Sequence, residues 1–514
     1  MQPESTRPSE RCPFRPTECG DLSPLRRALE AVGFTEEALA KTVLAGESRR
    51  PLDVSSALRR TAADSPYNAL VRLFVLGRSV PEAAARRALA PAELEPLLAL
   101  GLLRRGDGGI RAAVALRPYE DFFVLCDFWP DFLGEPVPRD YVPGVAPASR
   151  TLAGLTVRRQ VESALDLGTG MGIQALWAAR HAGHVIGTDT NPRALNFAAL
   201  NARLNGLANI ELRRGDLYEP VAGCQFDLIV ANPPFVISPS SDYEYRDSGL
   251  PGDTVCERVV RGAPPLLRDG GFCTIEGNWH HQDDDDWAER PTRWLEGCGC
   301  DAWILCSATQ DVLGYAADWL GPDRASDPAR HERLLDEWLA YYERLGIGRI
   351  SSGAVVLRRR SARANWLRAE KAPAGQPAGS CSAQIQRLFA AHDFLQEATG
   401  DQDLLGQAFA LAPEHQLEHV MQAEGGRWVV KAARLSQTEG LPFVANVDRC
   451  VGTVLAGCDG GHTLRELVAD LAAGLRMDPQ RIAPACVGVI RKLLETGFLT
   501  VARRSGHAEG GDEP

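Results

Sequence analysis

The 514-residue chain has no Cys-x-x-Cys pair. Its 13 cysteines are scattered, and Cys298 and Cys300 stand only two positions apart. That spacing builds neither a four-ligand zinc site nor a disulfide framework, so no metal is expected. An odd count leaves at least one thiol unpaired, which points to a reducing cytoplasm. Long apolar runs are missing as well. Nothing approaches the roughly 20 residues that cross a bilayer. Residues 1–21 are polar, rich in Pro, Glu, Ser and Arg, and carry no apolar leader segment. No membrane partner is expected. Lysine is scarce: Lys41, Lys371, Lys431 and Lys492 among 56 Lys and Arg. We read that as codon bias. Positive charge is short overall, with a net charge of −11. A grip on long nucleic acid needs a basic field. Residues 1–150 balance 20 basic against 20 acidic side chains, so DNA is not an expected partner.

What is present is an ordinary globular composition, 45% hydrophobic and 24% charged, too long for one core. Residues 1–118 read as a helical, winged-helix-like domain. Leu70, Leu73, Phe74 and Leu76 recur at helical spacing, and Ser79-Val-Pro-Glu82 has the form of a capping box. A helix over 91–100 and a strand over 110–116 follow. Residues 119–370 alternate strand-like runs (163–167, 184–188, 209–213, 226–231, 271–276) with helical stretches, the pattern of a parallel sheet covered on both faces. Ala302–Cys306 and Ala354–Leu357 flank a helix-rich insertion and suit a closing antiparallel hairpin. Residues 371–383 are linker by composition. Residues 384–502 read as a second mostly helical, winged-helix-like domain with a capping box at Thr463-Leu-Arg-Glu466. Residues 503–514 read as a disordered tail.

Two motifs carry chemistry. Ala164-Leu-Asp-Leu-Gly-Thr-Gly-Met-Gly172 is a buried strand running into a turn whose Gly168, Gly170 and Gly172 let backbone approach a ligand. The next strand ends at Asp189, 17 residues after Gly172, where a carboxylate can take two ribose hydroxyls. A dinucleotide is the rival ligand, but the spacing is Gly-x-Gly-x-Gly and not Gly-x-Gly-x-x-Gly. Arg214-Gly-Asp216-Leu217 offers a second acid one strand over, suited to an adenine amine. A helix cap is the alternative for Asp216.

The second motif is Phe226–Ala231 followed by Asn232-Pro233-Pro234-Phe235. An amide or exocyclic amine is a poor nucleophile because its lone pair is delocalised. The Asn232 side-chain oxygen and the Pro233 carbonyl can take its two N–H groups and hold the nitrogen toward a methyl donor. The prolines stiffen the turn and Phe235 can stack on the planar group. Positioning and electrostatics would then suffice.

Residues about 141–280 resemble the class I S-adenosylmethionine (AdoMet) methyltransferases of the Asn-Pro-Pro-Tyr/Phe type, which modify release-factor glutamine, guanine N2 or adenine N6. The resemblance implies a Rossmann-like seven-stranded sheet and AdoMet as cofactor. It implies cofactor roles for Asp166, Gly168, Thr169, Gly170, Gly172, Asp189, Asn191, Asp216, Leu217 and Asn232, and a catalytic role for Asn232-Pro233-Pro234-Phe235. Tyr141–Thr151 resembles the family's lid over AdoMet, and Arg246–Asp253 its loop-to-helix stretch after the claw.

The expected activity is N-methylation of a planar NH2 on a macromolecule. Acidity favours a protein glutamine, while Phe235 leans toward an RNA base. A specialised-metabolite methyltransferase and a non-catalytic AdoMet-binding regulator stay open. His280–Asp286 reads as a solvated acidic loop rather than a metal site, and Trp279, Trp287, Trp294 and Trp303 as core rather than base-stacking groups. The helix at 91–100 is acidic and apolar, wrong for a DNA groove. Arg476, Arg481, Arg491 and Lys492 make the C-terminal helices more basic.

Overall fold

A computed structural model describes residues 20–44, 53–106, 108–129, 137–283, 286–321, 327–361, 364–375 and 377–502. They form two units. One reaches Lys371 without Gly154–Val157; the other comprises Gly154–Val157 and the chain from Ala372. The proposed tail beyond 502 lies outside the described residues.

In the first unit, Leu70, Leu73, Phe74 and Leu76 are fully buried, as their helical spacing requires. The capping box at Ser79 does not form. The helix starts at Glu82 behind Pro81, without a side-chain cap, because Val80 is drawn into a two-way backbone bridge with Ile110. The next helix is Leu94–Ala99. It ends with the Leu102 amide donating to the Leu97 carbonyl and Gly101 to Leu98, the reverse-turn ending that favours glycine. Strands β1 (Leu103–Gly106) and β2 (Gly109–Ala112) then pair antiparallel.

The strand read over 110–116 is two strands. A second hairpin, β3 (Ala115–Tyr119) with β4 (Phe122–Cys126), crosses residue 118, where the sequence suggested a boundary. Helix Pro192–Leu204 serves the edge of that hairpin. Asn201 and Asn205 accept from the Leu125 and Phe123 amides and donate back to the same residues' carbonyls, so two side chains act as a strand. Leu25, Phe74, Leu97 and Phe122 therefore share one apolar core with Phe197, Leu200 and Leu204.

The central sheet comprises β5 (Val161–Leu167), β6 (Ala182–Asp189), β7 (Ile210–Arg214), β8 (Phe226–Ala231), β9 (Leu267–His281), β10 (Cys300–Asp311), β11 (Arg349–Arg359) and β12 (Leu367–Lys371). Its order is β12-β10-β11-β9-β8-β5-β6-β7. β5 to β9 are parallel, and β11 is antiparallel to both β9 and β10. The expected hairpin around a helical insertion is present, its helices being Val312–Trp319 and Pro328–Leu345. The resemblance implied seven strands. The eighth, β12, runs parallel along β10 from residues placed at the domain end and linker. β9 is also longer than read, so His280 and His281 belong to a strand and not to a loop. Trp279, Trp294 and Trp303 are core.

The C-terminal unit is less helical than its sequence suggested. Its helices, Ser382–Glu397, Leu464–Leu475 and Pro479–Glu495 among them, bury Val487, Ile490, Leu493 and Leu494, and the Thr463–Glu466 capping box is made. Two three-stranded antiparallel sheets accompany them. One is β13 (Ala408–Leu411) between β17 (Asp459–Thr463) and β18 (Leu499–Val501); the other is β14 (His415–Glu424), β15 (Arg427–Gln437) and β16 (Val444–Val447). β18 returns to β13 rather than opening a wing. The β14–β15 ribbon is exposed almost throughout. Only Ala433, Leu435 and Gln437 at the end of β15 are buried, so most of the ribbon has no buried face to impose an alternation of polar and apolar residues.

Candidate active site

β5 has β6 on one side and β8 on the other, so the crossovers diverge here and open a crevice at the strands' C-terminal ends. The glycine turn lies in it. Gly168, Gly170 and Gly172 all have left-handed φ, +70°, +55° and +93°. At Gly172 a Cβ would also stand 3.0 Å from the Ala198 Cβ, so only glycine lets the turn close on the Pro192–Leu204 helix. A Cβ on Gly170 would meet nothing within 4 Å, so that backbone borders open space.

The acids around the turn hold it. The Asp166 carboxylate accepts the Thr169 hydroxyl at 2.6 Å and the Ala175 amide at 2.9 Å. Burial pushes its carboxyl up to about 7 against those two donors. Asp189 accepts the Gly170 amide at 2.9 Å and the Asn191 amide at 2.8 Å. Burial raises its carboxyl too, opposed by these amides. The Asn191 side-chain oxygen caps the Pro192–Leu204 helix and its amide donates to the Asp140 carbonyl. Its side chain is therefore an organising group. Asp216 is exposed after β7, and Leu217 is half-buried with φ +42°. The following turn begins at Glu219 without a side-chain cap, so Asp216 is no helix cap. The Gly215 amide donates to the Asp189 carbonyl and keeps the two strand ends together.

Across the crevice stands the claw. A Cβ on Gly168 would lie 3.9 Å from the Asn232 carbonyl oxygen, so turn and claw are neighbours. The Asn232 amide reaches the Ser149 hydroxyl at 3.5 Å. Its oxygen, Oδ1, is fully shielded and has no hydrogen-bond partner among the described residues. Pro233 is buried; Pro234 and Phe235 are half-buried. Beyond them the chain is pinned: the Ile237 amide donates to the Tyr315 hydroxyl at 3.2 Å, and the Tyr342 hydroxyl donates to the Ile237 carbonyl at 2.8 Å.

The segment from Tyr141 forms a helix, Pro147–Leu155, which supplies Ser149. The rings of Tyr141 and Tyr245 stand 5.5 Å apart, and the Glu244 amide donates to the Arg139 carbonyl, so this segment meets the loop after the claw.

Ser149 and Glu276 escaped the sequence reading. Glu276 is half-buried on β9, yet its Oε2 is shielded and without a partner among the described residues, and the Thr274 hydroxyl is likewise. The available signal was one acid inside the apolar run Phe272-Cys-Thr-Ile-Glu276. His281 is buried and contacts the Ser351 hydroxyl at 3.1 Å. No group of three metal-binding side chains occurs among the described residues, and no helix among them is long and apolar enough to cross a membrane.

Known proteins resemble this region of the chain. Residues 144–284 match the methyltransferase small domain. Residues 31–113 and 386–501 match two families each described as a domain of unknown function (DUF7059 and DUF7782). The chain is 38% identical over 126 residues to the release factor glutamine methyltransferase of Xylella fastidiosa (strain 9a5c), covering 22% of this chain and 46% of that protein. It is 36% identical over 166 residues to the ribosomal protein uL3 glutamine methyltransferase of Bradyrhizobium diazoefficiens, covering 30% and 52%. It is 39% identical over 124 residues to the release factor glutamine methyltransferase of Moorella thermoacetica, covering 22% and 44%. The chain thus spans about half the length of the curated relatives it matches. The glycine turn, the acid after the second strand and the Asn-Pro-Pro claw together identify the central region as a class I AdoMet-dependent methyltransferase domain of the Asn-Pro-Pro-Tyr/Phe type.

Proposed function

We propose that the chain transfers a methyl group from AdoMet to the side-chain amide nitrogen of a glutamine in a protein. The carrying observation is the Asn232 oxygen, shielded and unpartnered at the end of β8. A buried acceptor without a donor costs about 1–3 kcal/mol. A substrate NH2 relieves that cost, so the site favours an N–H donor. AdoMet supplies a methyl on a sulfonium centre. The Gly168–Gly172 backbone cradles the cofactor, Asp189 takes its ribose hydroxyls and Asp216 lies toward its adenine. Asn232 and the Pro233 carbonyl orient the acceptor, and Phe235 flanks its plane.

The relatives' glutamine substrates support an amide acceptor, and the net charge of −11 supports a protein over a long polyanion. Phe235 is the residue that favours an RNA base instead. The test uses radiolabelled AdoMet and lysate from a strain lacking the gene, with nuclease or protease applied to separate aliquots. Label lost to protease and retained after nuclease is the expected result. Label released by ribonuclease and resistant to protease contradicts it.

A further inference from the structure

The claw has a neighbour that orientation alone does not use. In the parallel pair β8–β9, Val230 lies beside Thr274 and Ala231 beside Ile275. Asn232 and Glu276 come next in line. Partners in a parallel register share a face and alternate with their chain neighbours. The opposite face is settled: Ile229, Ala231, Cys273 and Ile275 pack with Val255, Cys256 and Val259 of helix Thr254–Gly262. Thr274, Glu276 and Asn232 therefore line the crevice side, where two of the shielded, unpartnered oxygens are Asn232 Oδ1 and Glu276 Oε2. A carboxylate left so has no structural task that the described residues reveal. It lies beside Asn232 on the face that the substrate amide is proposed to meet.

Resting on the proposed methyl transfer, we infer that Glu276 is a catalytic residue that accepts the proton the attacking nitrogen must lose. As the nitrogen's electron pair forms the N–CH3 bond, the S–CH3 bond breaks and its pair stays on sulfur. The nitrogen would be left with two protons and a positive charge. Glu276 takes one proton, leaving a neutral N-methyl amide, a neutral thioether and a carboxylic acid that later yields its proton to water.

The surroundings suit a proton acceptor. Beside Glu276 stand the uncharged Asn232 on one strand and Ala354 on the other. Further along the same face Asn278 donates to the Tyr315 phenol from helix Val312–Trp319. Asp166 lies beyond β8, opposite Val230. On helix Pro147–Leu155, Ser149 faces the claw while Arg150 is paired with Glu36. Among the described residues no charged group acts on Glu276; burial pushes its carboxyl well above the ordinary carboxylate range. A carboxylate raised in this way is a stronger base than one in water.

The experiment compares wild type, Glu276→Gln and Glu276→Asp in single-turnover label transfer from AdoMet to protease-sensitive lysate material, from mildly acidic to alkaline pH. Melting temperature and AdoMet affinity are measured on the same samples. Infrared difference spectra of the AdoMet-free protein report the buried protonated carboxyl. Wild-type transfer should fall as pH drops through the Glu276 pKa. Glu276→Gln should transfer about 100-fold more slowly or worse, with a flat acid limb, unchanged AdoMet affinity and one buried-carboxyl band missing. Glu276→Asp should regain part of the rate and the limb. Glu276→Gln within a few-fold of wild type overturns the inference and leaves the methyl-transfer reading standing. So does a slow variant that keeps the wild-type acid limb. A wild-type enzyme that binds AdoMet but transfers no label overturns both.

Discussion

The Asp189 carboxylate accepts the Gly170 amide at 2.9 Å, so the end of the second strand of the site holds the glycine turn that follows the first. The same carboxylate accepts the Asn191 amide. One acid thereby positions the turn and the start of the Pro192–Leu204 helix, and in the proposed function it also offers its oxygens to a ribose.

Replacing Asp189 removes charge-assisted bonds worth roughly 1.5–3 kcal/mol each. Asp189→Ala should weaken AdoMet binding by at least about tenfold in calorimetry, and Asp189→Asn by less, because an amide oxygen still serves the Gly170 amide. Equal affinity in wild type and Asp189→Ala would remove Asp189 from the cofactor site.

Asn232→Ala separates stability from function. The variant loses an acceptor that is buried and unpartnered in the substrate-free protein, so its melting temperature should hold or rise. AdoMet affinity should stay near that of wild type while turnover falls on the order of 100-fold, the loss expected for one preorganised contact. A variant that melts early, or that turns over normally, refutes the role given to the claw.

Gly172→Ala tests the turn. Its φ of +93° and the 3.0 Å approach to Ala198 leave no room for a methyl. A destabilisation of roughly 1–3 kcal/mol is expected, with weaker AdoMet binding because turn and helix share Asp189. Gly474→Ala, exposed in helix Leu464–Leu475 where a Cβ meets nothing, is the control and should leave binding unchanged and melting equal or slightly higher.

Asp166 makes stability depend on pH. Its carboxyl, ordinarily near 3.8, is pushed up to about 7 by burial. A raised folded-state pKa favours folding fully below the unfolded value, and that contribution fades as pH rises through the folded value. Asp166→Asn keeps an oxygen for the Thr169 hydroxyl and the Ala175 amide but cannot ionise. Relative to wild type, its melting temperature should therefore climb between about pH 4 and pH 7 and level off above. A constant difference across that range contradicts the shift.

The candidate site was legible where the proposed chemistry demands particular residues at particular spacing. Gly168, Gly170, Gly172, Asp189 and Asn232 announce themselves because few other residues satisfy their backbone angles or acceptor geometry. Asn191, read as a cofactor residue, also caps a helix: its side-chain oxygen takes the Arg193 amide, a task that Asp, Ser or Thr could share. Glu276 was illegible for a different reason. Its meaning depends on strand register, which only the folded sheet supplies. The N-terminal segment read correctly as helices, but its union with the central sheet rests on Asn201 and Asn205, whose two-way bonds to β4 leave no local signature. β14 and β15 lacked the signal altogether, since neither face of the ribbon is buried along most of its length.

The most direct test of the central claim is the chemical identity of the methylated residue. Protein labelled by the enzyme with radioactive AdoMet is purified free of nucleic acid and hydrolysed in acid. An N-methylated glutamine amide then breaks to glutamate and methylammonium, which volatilises as methylamine once the hydrolysate is made alkaline. The account predicts that the label leaves as methylamine from wild-type reactions and is absent from those of Asn232→Ala. Label that stays on a non-volatile amino acid such as a methylated lysine or arginine, or that leaves entirely with the separated nucleic acid, would contradict it.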